Sequence, residues 1–307
     1  MNWMVWLGAI VVLLLLVVVA LDVFGEKNWA GLMRTHTAQL NSARAEPQDS
    51  AMRTPPAPTR FDARELEGLP APVQRYFRAV LKDGQPIIAA ATIDMVGTIN
   101  MSATGEQWKP FTSTQRAVNT VAQASSSLRP GFLWDAAVTM FPGVPARVED
   151  SYIAGQGQLI VKLLGLSTVA QTRGGGELAR GEFMRYFAEA AWYPTALLPS
   201  QGVQWQAVDG ASANATIVDG PITLTLLFRF NQVGLIDSVR AEARGAGVAK
   251  KGSTDMLMLP WECRYGDYQA QDGMLIPMTG EAAWVRPEGR KPYFLGRVKK
   301  LSYELAG

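Results

Sequence analysis

The spacing of hydrophobic and polar positions changes twice along the chain. Residues 3–21 form an apolar run without a charge, which is about long enough to cross the core of a bilayer. Residues 61–82 then carry apolar side chains about every four positions, as in a short amphipathic helix. From Ala89 onward, apolar positions alternate with polar ones, as at Ile93 and Met95. This alternation is typical of half-buried β-strands.

One helical pattern interrupts the strands, between Gly174 and Ser200. It begins at Glu177 after a glycine run, and Pro194 and Pro199 close it because proline cannot continue a helix. At 100° per residue, one arc of this helix is apolar and the opposite arc carries charges spaced for i,i+3 and i,i+4 ion pairs. The apolar arc holds Phe183, Met184, Phe187, Ala190 and Ala191, and the charged arc holds Glu182, Arg185 and Glu189.

Glu177 and Arg180 are the two charges that fall on the apolar side of this helix. Two interpretations are open. In the first, Glu177 interacts with the positive N-terminal end of the helix dipole and Arg180 extends its charged end to solvent. In the second, both hold a polar group of a ligand or pair with a strand, because an unpaired buried charge is costly.

The order of these elements predicts an α+β fold with one large antiparallel sheet. We count about ten or eleven strands joined by short turns, with Asp272-Gly273 as a strong hairpin signal. A sheet of this size curls or closes, so we expect a half-open barrel. The predicted helix would then pack on the concave face of the sheet, preceded in the chain by one transmembrane helix.

The predicted division has three parts. Residues 1–25 are an uncleaved single-pass anchor, since no basic region precedes the apolar run and the run exceeds that of a normal signal peptide. Residues 26–60 are a juxtamembrane segment, in which residues 28–40 continue as a short interfacial helix, followed by a Pro-rich linker. Residues 61–307 form a single β-rich domain.

The composition excludes several classes of function. A net charge of +2 does not provide the basic face of a nucleic-acid binder, so we predict no nucleic-acid partner. With one cysteine, Cys263, the chain forms no internal disulfide. With one histidine, His36, near the apolar run, the β-rich domain has no Ser-His-Asp triad and no multi-histidine metal site. We predict no metal and no cofactor.

Several phrases of the β-rich part occur together in a widespread bacterial family of membrane-anchored proteins that is a domain of unknown function. They are LPAPVQRYFRAVL from Leu69, FLWDA from Phe132, VEDSY from Val148, GELARGEFMRYFAEAAWYPTALLPS from Gly176 and PWECRYGDYQAQDGMLIPMTGEAAW from Pro260. The chain resembles that family over almost everything from Phe61 onward. The resemblance implies no activity and no catalytic residue.

The resemblance and the helix pattern together give the candidate ligand-binding residues. They are Glu177, Arg180, Phe183, Phe187, Glu189, Trp192, Trp261, Glu281 and Trp284. Gly181 departs from the family's pattern, since a better helix former is expected in the middle of the helix. A glycine there costs about 1 kcal/mol relative to alanine.

In architecture alone, the strands and inserted helix are similar to the half-open barrels of periplasmic lipoprotein carriers. The apolar run predicts a membrane-tethered protein, held by residues 3–21. The apolar, Met-containing strand faces opposite the aromatic helix predict that it binds a lipid or other apolar ligand in its curled sheet. The likeness to the carriers favours the outer side of the bacterial inner membrane. Lys27 and Arg34 follow the apolar run and favour the opposite orientation by the positive-inside rule, although long domains translocate despite such charges.

Two other functions stay open from the sequence. The first is a structural or partner-binding envelope protein, with the tryptophans of the last hairpin as an exposed contact patch. The second is a carboxylate-based hydrolase, which needs two acids facing each other in a cleft. Its candidate acids are Asp135, Asp150, Glu177, Glu189 and Glu281.

Overall fold

The computed structural model describes residues 3–43, 58–102, 105–119, 122–123, 126–127, 129–249 and 256–306. Three α-helices lie in these residues. They are α1 (Trp3–Ser42), α2 (Ala71–Val80) and α3 (Gly176–Ala188). Short 3₁₀ segments occupy Ala63–Leu66, Glu189–Trp192, Pro194–Leu197 and Pro199–Gln201. Most of the predicted Pro-rich linker, residues 44–57, lies outside the described residues.

The strands confirm the predicted change to an alternating pattern from Ala89 onward. They are β1 (Ile88–Asn100), β2 (Trp108–Val118), β3 (Ala122–Gln123), β4 (Ser126–Ser127), β5 (Gly131–Phe141), β6 (Val144–Ile153), β7 (Gln156–Leu163), β8 (Ser167–Gly174), β9 (Gln204–Asp209), β10 (Ser212–Asp219), β11 (Ile222–Phe230), β12 (Ile236–Ala249), β13 (Met256–Gln271), β14 (Met274–Arg286) and β15 (Gly289–Leu305).

Thirteen of these strands form one antiparallel sheet, in the order β8-β7-β6-β5-β2-β1-β15-β14-β13-β12-β11-β10-β9. The first half of the chain builds outward from β1 to the edge strand β8. α3 and the 3₁₀ segments then carry the chain to β9 at the opposite edge, and the second half returns until β15 pairs with β1. The fold is therefore α+β, with a large open antiparallel sheet and a helix packed on it.

The sheet curves around α3. This helix contacts β6, β7 and β8 in one half of the sheet and β11 and β12 in the other, which a flat sheet of this width would not allow. The two halves also meet directly, because the Tyr152 hydroxyl of β6 donates to Asp219 Oδ2 of β10 at 2.6 Å. Arg129 adds two hydrogen bonds to the same carboxylate, at 2.8 and 2.9 Å.

The concave face of the sheet contains the main core. Its large buried side chains come from alternate positions of the strands, from α2 and from α3, as expected for a sheet with one face turned inward. They include Tyr76, Phe77, Phe132, Tyr152, Phe183, Phe187, Phe228 and Trp261.

The convex face carries a second, smaller core under the C-terminal half of α1. Trp29, Met33 and Leu40 of the helix pack with Ala90, Val118, Leu133 and Ile160 of the sheet. Trp29 Nε1 donates to Asp135 Oδ1 at 2.7 Å, and burial raises the pKa of this carboxyl although the indole hydrogen bond opposes the shift. Arg147 pairs with Glu26. Residues 26–42, assigned from the sequence to a juxtamembrane segment, thus contact the sheet, and the proposed division into parts stays a prediction.

His36 lies in this convex-face contact, far from where its position in the sequence suggested. Its Nδ1 is 2.7 Å from Glu149 Oε2, and Glu149 is fully buried. Gln158 Nε2 and Ser151 Oγ donate to the other oxygen of the same carboxylate at 2.8 and 3.0 Å. His36 is therefore close to the apolar run in the sequence but contacts the sheet in the folded protein.

No helix within the described residues has the length and apolarity that a membrane crossing requires. The single-pass anchor over residues 3–21 stays a prediction from the sequence. Towards its N-terminus, α1 exposes large apolar side chains. They include Trp3, Met4, Trp6, Leu7, Ile10 and Leu13.

Two features of the strands differ from the prediction. β8 is exposed along almost its whole length and carries no apolar alternation, so the sequence pattern did not reveal it. Residues 245–260 show no regular alternation in the sequence, but β12 and β13 extend into this region, where Gly245 pairs with Met258 and Ala249 with Met256. The difference arises because the hairpin of β12 and β13 is longer than the part of it in which apolar and polar residues alternate.

Candidate functional site

α3 buries both of its faces, which distinguishes it from an ordinary surface helix. On the predicted apolar arc, the Phe183 ring stacks on Tyr152 with centroids 4.9 Å apart. Phe187 meets the edge of Phe228 at 5.7 Å. On the opposite arc, Glu182 and Glu189 are also buried. The helix is thus held between the two halves of the sheet.

Arg185 is the centre of a buried polar network on the charged arc. Its Nε donates to Glu189 Oε1 at 2.8 Å, which is the predicted i,i+4 ion pair. Its Nη1 donates to Asp150 Oδ2 at 2.5 Å, and its Nη2 donates to Gln115 Oε1 at 3.0 Å. Gln115 Nε2 in turn donates to Glu189 Oε2 at 2.6 Å. Because every guanidinium nitrogen has an acceptor, the network fixes Arg185 rigidly.

Two aromatic rings flank the same guanidinium. Its carbon lies 4.8 Å from the Phe132 ring centroid and 5.0 Å from that of Trp134. A cation over an aromatic face is attracted by the ring quadrupole, and desolvation strengthens that attraction. Phe132 and Trp134 are alternate residues of β5, so the strand period places both rings on the concave face.

A second buried arginine, Arg244 of β12, lies close to the first but is less completely paired. Its Nη2 is 3.7 Å from Glu182 Oε1, and its Nη1 donates a long hydrogen bond of 3.4 Å to the Tyr293 hydroxyl. Its guanidinium carbon lies 4.5 Å from the Trp261 ring centroid. Burial, reinforced by the neighbouring Asp150 carboxylate, raises the pKa of Glu182 well above its usual value, against the opposing effect of Arg244.

These groups border a cavity between α3 and the sheet, with a volume of about 150 Å³. Most of its wall is apolar or aromatic, and five of the lining residues carry charged side chains. The lining residues are Ile99, Trp134, Val148, Asp150, Leu159, Arg185, Glu189, Trp192, Arg244, Trp261, Cys263, Tyr265, Gly280, Glu281, Ala282, Tyr293 and Phe294. Such a wall, with a few polar groups in fixed positions, is typical of small-molecule sites.

Several buried polar atoms at this cavity have no hydrogen-bond partner among the described residues. Three belong to lining residues: Trp134 Nε1, Asp150 Oδ1 and Arg244 Nε. Glu182 Oε2, on the carboxyl next to Arg244, is a fourth, and a proton on Glu182 would pair it with the neighbouring Asp150 carboxyl. Buried polar groups in folded proteins are almost always hydrogen-bonded, so the two donors, Trp134 Nε1 and Arg244 Nε, require an explanation.

The site does not have the features of a metal or thiol centre. Within the described part of the chain, no group of three or more His, Cys, Asp or Glu side chains is placed to hold a metal ion. Burial raises the pKa of the Cys263 thiol to about 12, so this side chain lines the cavity as a neutral group. Glu189 and Asp150, two of the candidate acids, both accept hydrogen bonds from Arg185 instead of facing each other across a cleft.

The structure brings four of the predicted ligand-binding residues to this cavity. Glu189, Trp192, Trp261 and Glu281 line it. The Glu281 carboxylate itself pairs with Arg290, and Trp284 stacks on Tyr293 with centroids 5.9 Å apart. Trp261 is buried and Trp284 half-buried, so these tryptophans do not form the exposed contact patch of the partner-binding hypothesis.

The other predicted residues lie elsewhere. Phe183 and Phe187 belong to the packed core of the helix. Glu177 is exposed in the first turn of α3, and Arg180 Nη1 donates to the Thr223 carbonyl oxygen at 2.9 Å. Neither Glu177 nor Arg180 lines the cavity. The exposure of Glu177 agrees with its interpretation as a first-turn acid.

Sequence reasoning missed Glu182, Arg185 and Arg244 as site residues. The first two lie on the predicted charged arc, but this arc faces the cavity instead of solvent. Strict alternation along β12 would place Arg244 on the same, solvent-facing side of the sheet as Arg240. A register shift between Ala241 and Arg244 moves Arg244 to the other face of the sheet, whereas Arg240 stays outside and pairs with Glu242.

The fold and cavity define a class of α+β proteins in which a curved antiparallel sheet encloses a helix and a small, partly charged cavity. The chain belongs to a family of unknown function (DUF6920), whose model matches residues 67–303. The prediction of membership in a domain family of unknown function is confirmed. No curated protein matches the chain.

Two solved structures are similar to the chain at low identity. A LolA superfamily protein from Nitrosomonas europaea is 9% identical, with 77% of this chain and 93% of that chain covered and a TM-score of 0.38. A β-barrel-like protein of the domain of unknown function DUF1849 from Brucella abortus is 10% identical, with 71% and 98% covered and a TM-score of 0.16.

Proposed function

We propose that the protein binds a small molecule with an apolar body and a polar end in the cavity between α3 and the sheet. One observation carries this proposal. An apolar and aromatic wall surrounds buried polar atoms, among them Trp134 Nε1 and Arg244 Nε, that have no hydrogen-bond partner within the described part of the chain. Leaving such atoms unpaired costs about 1–3 kcal/mol each, so a ligand that pairs them gains affinity.

The size of the cavity limits the ligand. At about 150 Å³, it is comparable to the engineered apolar cavity that accommodates benzene. A single ring, or the end of an alkyl chain, fits this space. A lipid would place only part of one chain there, so a small apolar compound or a lipid terminus is the expected occupant.

The test is to identify what the full chain carries when it is purified in detergent and transferred to an amphipathic polymer. Solvent extraction and mass spectrometry would be applied to the wild type and to Arg244→Met. This substitution keeps the volume of the side chain but removes the buried guanidinium. Arg240→Met is the matched control, because Arg240 lies on the same strand and its guanidinium pairs with Glu242 on the opposite face.

We expect a compound that is bound by the wild type and by Arg240→Met and is lost from Arg244→Met. Circular dichroism spectra of the three proteins establish that each is folded. The proposal is rejected when folded wild type carries no compound and binds none from a set of single-ring and short-chain probes. It is also rejected when Arg244→Met retains the compound at the wild-type level.

We further propose that residues 3–21 attach the protein to a membrane, with the β-rich part on the extracytoplasmic side. The exposed apolar side chains of α1, including two tryptophans near its start, support the attachment. Alkaline carbonate washing of membranes from expressing cells tests it, with release of the protein into the supernatant as the contrary result. Protease cleavage of the β-rich part in intact spheroplasts is the result expected for the proposed side.

A further inference from the structure

Two hairpin turns at one end of the sheet are apolar, although turns that face water are usually rich in polar residues, glycine and proline. The β5–β6 turn, residues 141–144, has the sequence FPGV, and the β7–β8 turn, residues 163–166, has the sequence LLGL. Phe141 is 66% exposed and Leu163 38%. The β6–β7 turn lies at the opposite end of these antiparallel strands and has Ala, Gly and Gln at residues 154–156. The apolar turns of these four strands are therefore at one end of the sheet.

α1 leaves the sheet beside the two apolar turns. Directly after α1, the Ala43 carbonyl oxygen accepts a hydrogen bond from the Arg129 backbone N–H at 3.2 Å, near the start of β5. Towards the N-terminus of α1, Asn28 Nδ2 donates to the Gly165 carbonyl oxygen at 3.3 Å. At Gly25, an added Cβ would overlap the backbone of the same β7–β8 turn. The helix thus runs along the strands towards the apolar turns, and its residues before Gly25 extend past them.

The helix also sets the distance between these turns and the apolar run. Leu21 is the last residue of the run and precedes Gly25 by four positions, or about 6 Å along a helix axis. The headgroup layer on each side of a bilayer is roughly 5–8 Å thick, because a core of about 30 Å lies within about 40–45 Å. When residues 3–21 cross the core, the β7–β8 turn beside Gly25 consequently lies within the headgroup layer.

The surface around the exit of α1 is apolar on the helix as well as on the turns. Between the apolar run and Gly25, Val23 is 50% exposed and Phe24 64%. Next to the helix, Phe141 has Lys109 Nζ at 5.6 Å from its ring centroid. An aromatic ring with an ammonium beside it suits the boundary between acyl chains and headgroups, since the ring enters the apolar side and the charge reaches the phosphates.

We propose that the β5–β6 and β7–β8 turns insert into the headgroup layer of the bilayer to which α1 attaches the protein. This inference rests on the proposed membrane attachment and adds the surface of the β-rich part that contacts lipid. A bilayer is the occupant that fits, because the apolar residues surround the point where α1 leaves the sheet. Together with α1, the two turns would fix the orientation of the sheet on the membrane.

Fluorescent labels on single introduced cysteines test this contact. The full chain would be reconstituted in nanodiscs of three parts phosphatidylcholine to one part phosphatidylglycerol, with and without lipids that carry a nitroxide at the headgroup end of the acyl chain. Phe141→Cys and Leu163→Cys place a bimane label on each apolar turn. Cys263 is buried, so the wild type is the labelling blank.

Two further positions are controls. Gln156→Cys places the label on the β6–β7 turn, which the eight residues of β7 separate from the apolar turns by about 25 Å. Val19→Cys places it near the end of the apolar run and reports the membrane attachment itself. Circular dichroism spectra establish that each variant is folded.

We expect the nitroxide lipid to quench the labels at 141 and 163 at least about 3-fold more strongly than the label at 156, because only the apolar turns lie in the headgroup layer. Iodide in the aqueous phase should show the opposite order. The label at 19 should be quenched by the nitroxide lipid and protected from iodide.

Equal quenching at 141, 163 and 156 by the nitroxide lipid would overturn the inference. Protection of 141 and 163 from iodide without quenching by the lipid would overturn it too, since a protein, such as a second copy of the chain, would then cover the turns. In both cases strong lipid quenching at 19 leaves the membrane attachment in place. Absence of lipid quenching at 19 would overturn the attachment and this inference together.

Discussion

At the scale of single residues, two adjacent carboxyl groups, those of Glu182 and Asp150, lie beside the cavity. Glu182 is buried next to Asp150, and its pKa is raised well above the ordinary value, mainly by desolvation. Arg185 donates to Asp150 Oδ2 at 2.5 Å and thereby joins this carboxyl to the buried network.

The raised pKa of Glu182 predicts a dependence of stability on pH. Its folded pKa lies above the unfolded value, so between these two values the folded state binds the extra proton and stability falls as pH rises. Glu182→Gln imitates the protonated acid and cannot ionise. The variant should therefore gain stability relative to the wild type as pH increases from 5 to 8. The groups that face this side chain are Asp150, Arg185 and Arg244.

Denaturant unfolding of the two proteins at several pH values measures this difference. Glu189→Gln serves as the comparison, because it removes a charge-assisted bond to Arg185 and should destabilise the protein by about 1.5–3 kcal/mol. A free-energy difference between Glu182→Gln and wild type that does not change from pH 5 to pH 8 would contradict a raised pKa of Glu182 in the folded state.

Part of the site could be predicted from the sequence at this scale. Glu189, Trp192 and Trp261 line the cavity as predicted candidates. Arg244 could not be found by alternation, because a bulge changes the phase of the strand between Ala241 and Arg244. Helical periodicity correctly grouped Glu182 with Arg185, but periodicity does not reveal whether a charged arc faces water or the inside of a curved sheet.

At the scale of elements, α3 lies close to β7, and a glycine of that strand allows this close approach. An added Cβ at Gly157 of β7 would lie 2.9 Å from the backbone carbon of Leu178 and 3.0 Å from the backbone nitrogen of Ala179. At Gly181, within α3, it would lie 3.5 Å from Arg244 Nε, an ordinary van der Waals distance. Only the first glycine is required by packing.

The two Gly→Ala variants should therefore have opposite effects. Gly181→Ala should stabilise the protein by about 0.5–1 kcal/mol, the cost of glycine within a helix. Gly157→Ala should destabilise it by about 1–3 kcal/mol, because the helix must move away from β7. Denaturant unfolding measures both. A loss of stability of similar size in Gly181→Ala would show that the helix tolerates no added methyl group there.

The sequence predicted which helices and strands exist more completely than it predicted where they begin and end. The alternation in β11 is regular because one face of the strand is buried and the other is largely exposed. β8 escaped prediction because an edge strand with both faces exposed needs no apolar positions. The extension of β12 and β13 escaped it because glycines and isolated methionines there give no period of two.

At the scale of the whole molecule, the order of the strands and the position of α1 could not be predicted from periodicity. Alternation shows that a strand has a buried face but does not identify its neighbours. The long connection through α3 joins opposite edges of the sheet, so among the described strands those before it are hydrogen-bonded in the sheet to those after it only where β1 pairs with β15. Likewise, the apolar run of α1 drew attention to its first half, whereas its second half covers part of the convex face.

Two tryptophans of α1 differ in burial, because only the C-terminal half of this helix packs on the sheet. Trp29 is 2% exposed and donates to Asp135, whereas Trp6 is 60% exposed. Trp29→Ala would remove a buried ring and leave the Asp135 carboxyl without its donor, so we expect a loss of about 3–5 kcal/mol. Trp6→Ala should change the free energy of unfolding by less than about 0.5 kcal/mol.

Both variants would be compared with the wild type as full chains in detergent, by denaturant unfolding and by amide hydrogen exchange. The exchange of β5 and β6 amides beneath the helix should accelerate in Trp29→Ala alone, because losing the indole weakens the contact that covers these strands. Equal exchange in the two variants would mean that α1 does not hold the convex face. The β-rich part would then be stable without the helix, and residues 26–42 would act only as a spacer, as the sequence first suggested.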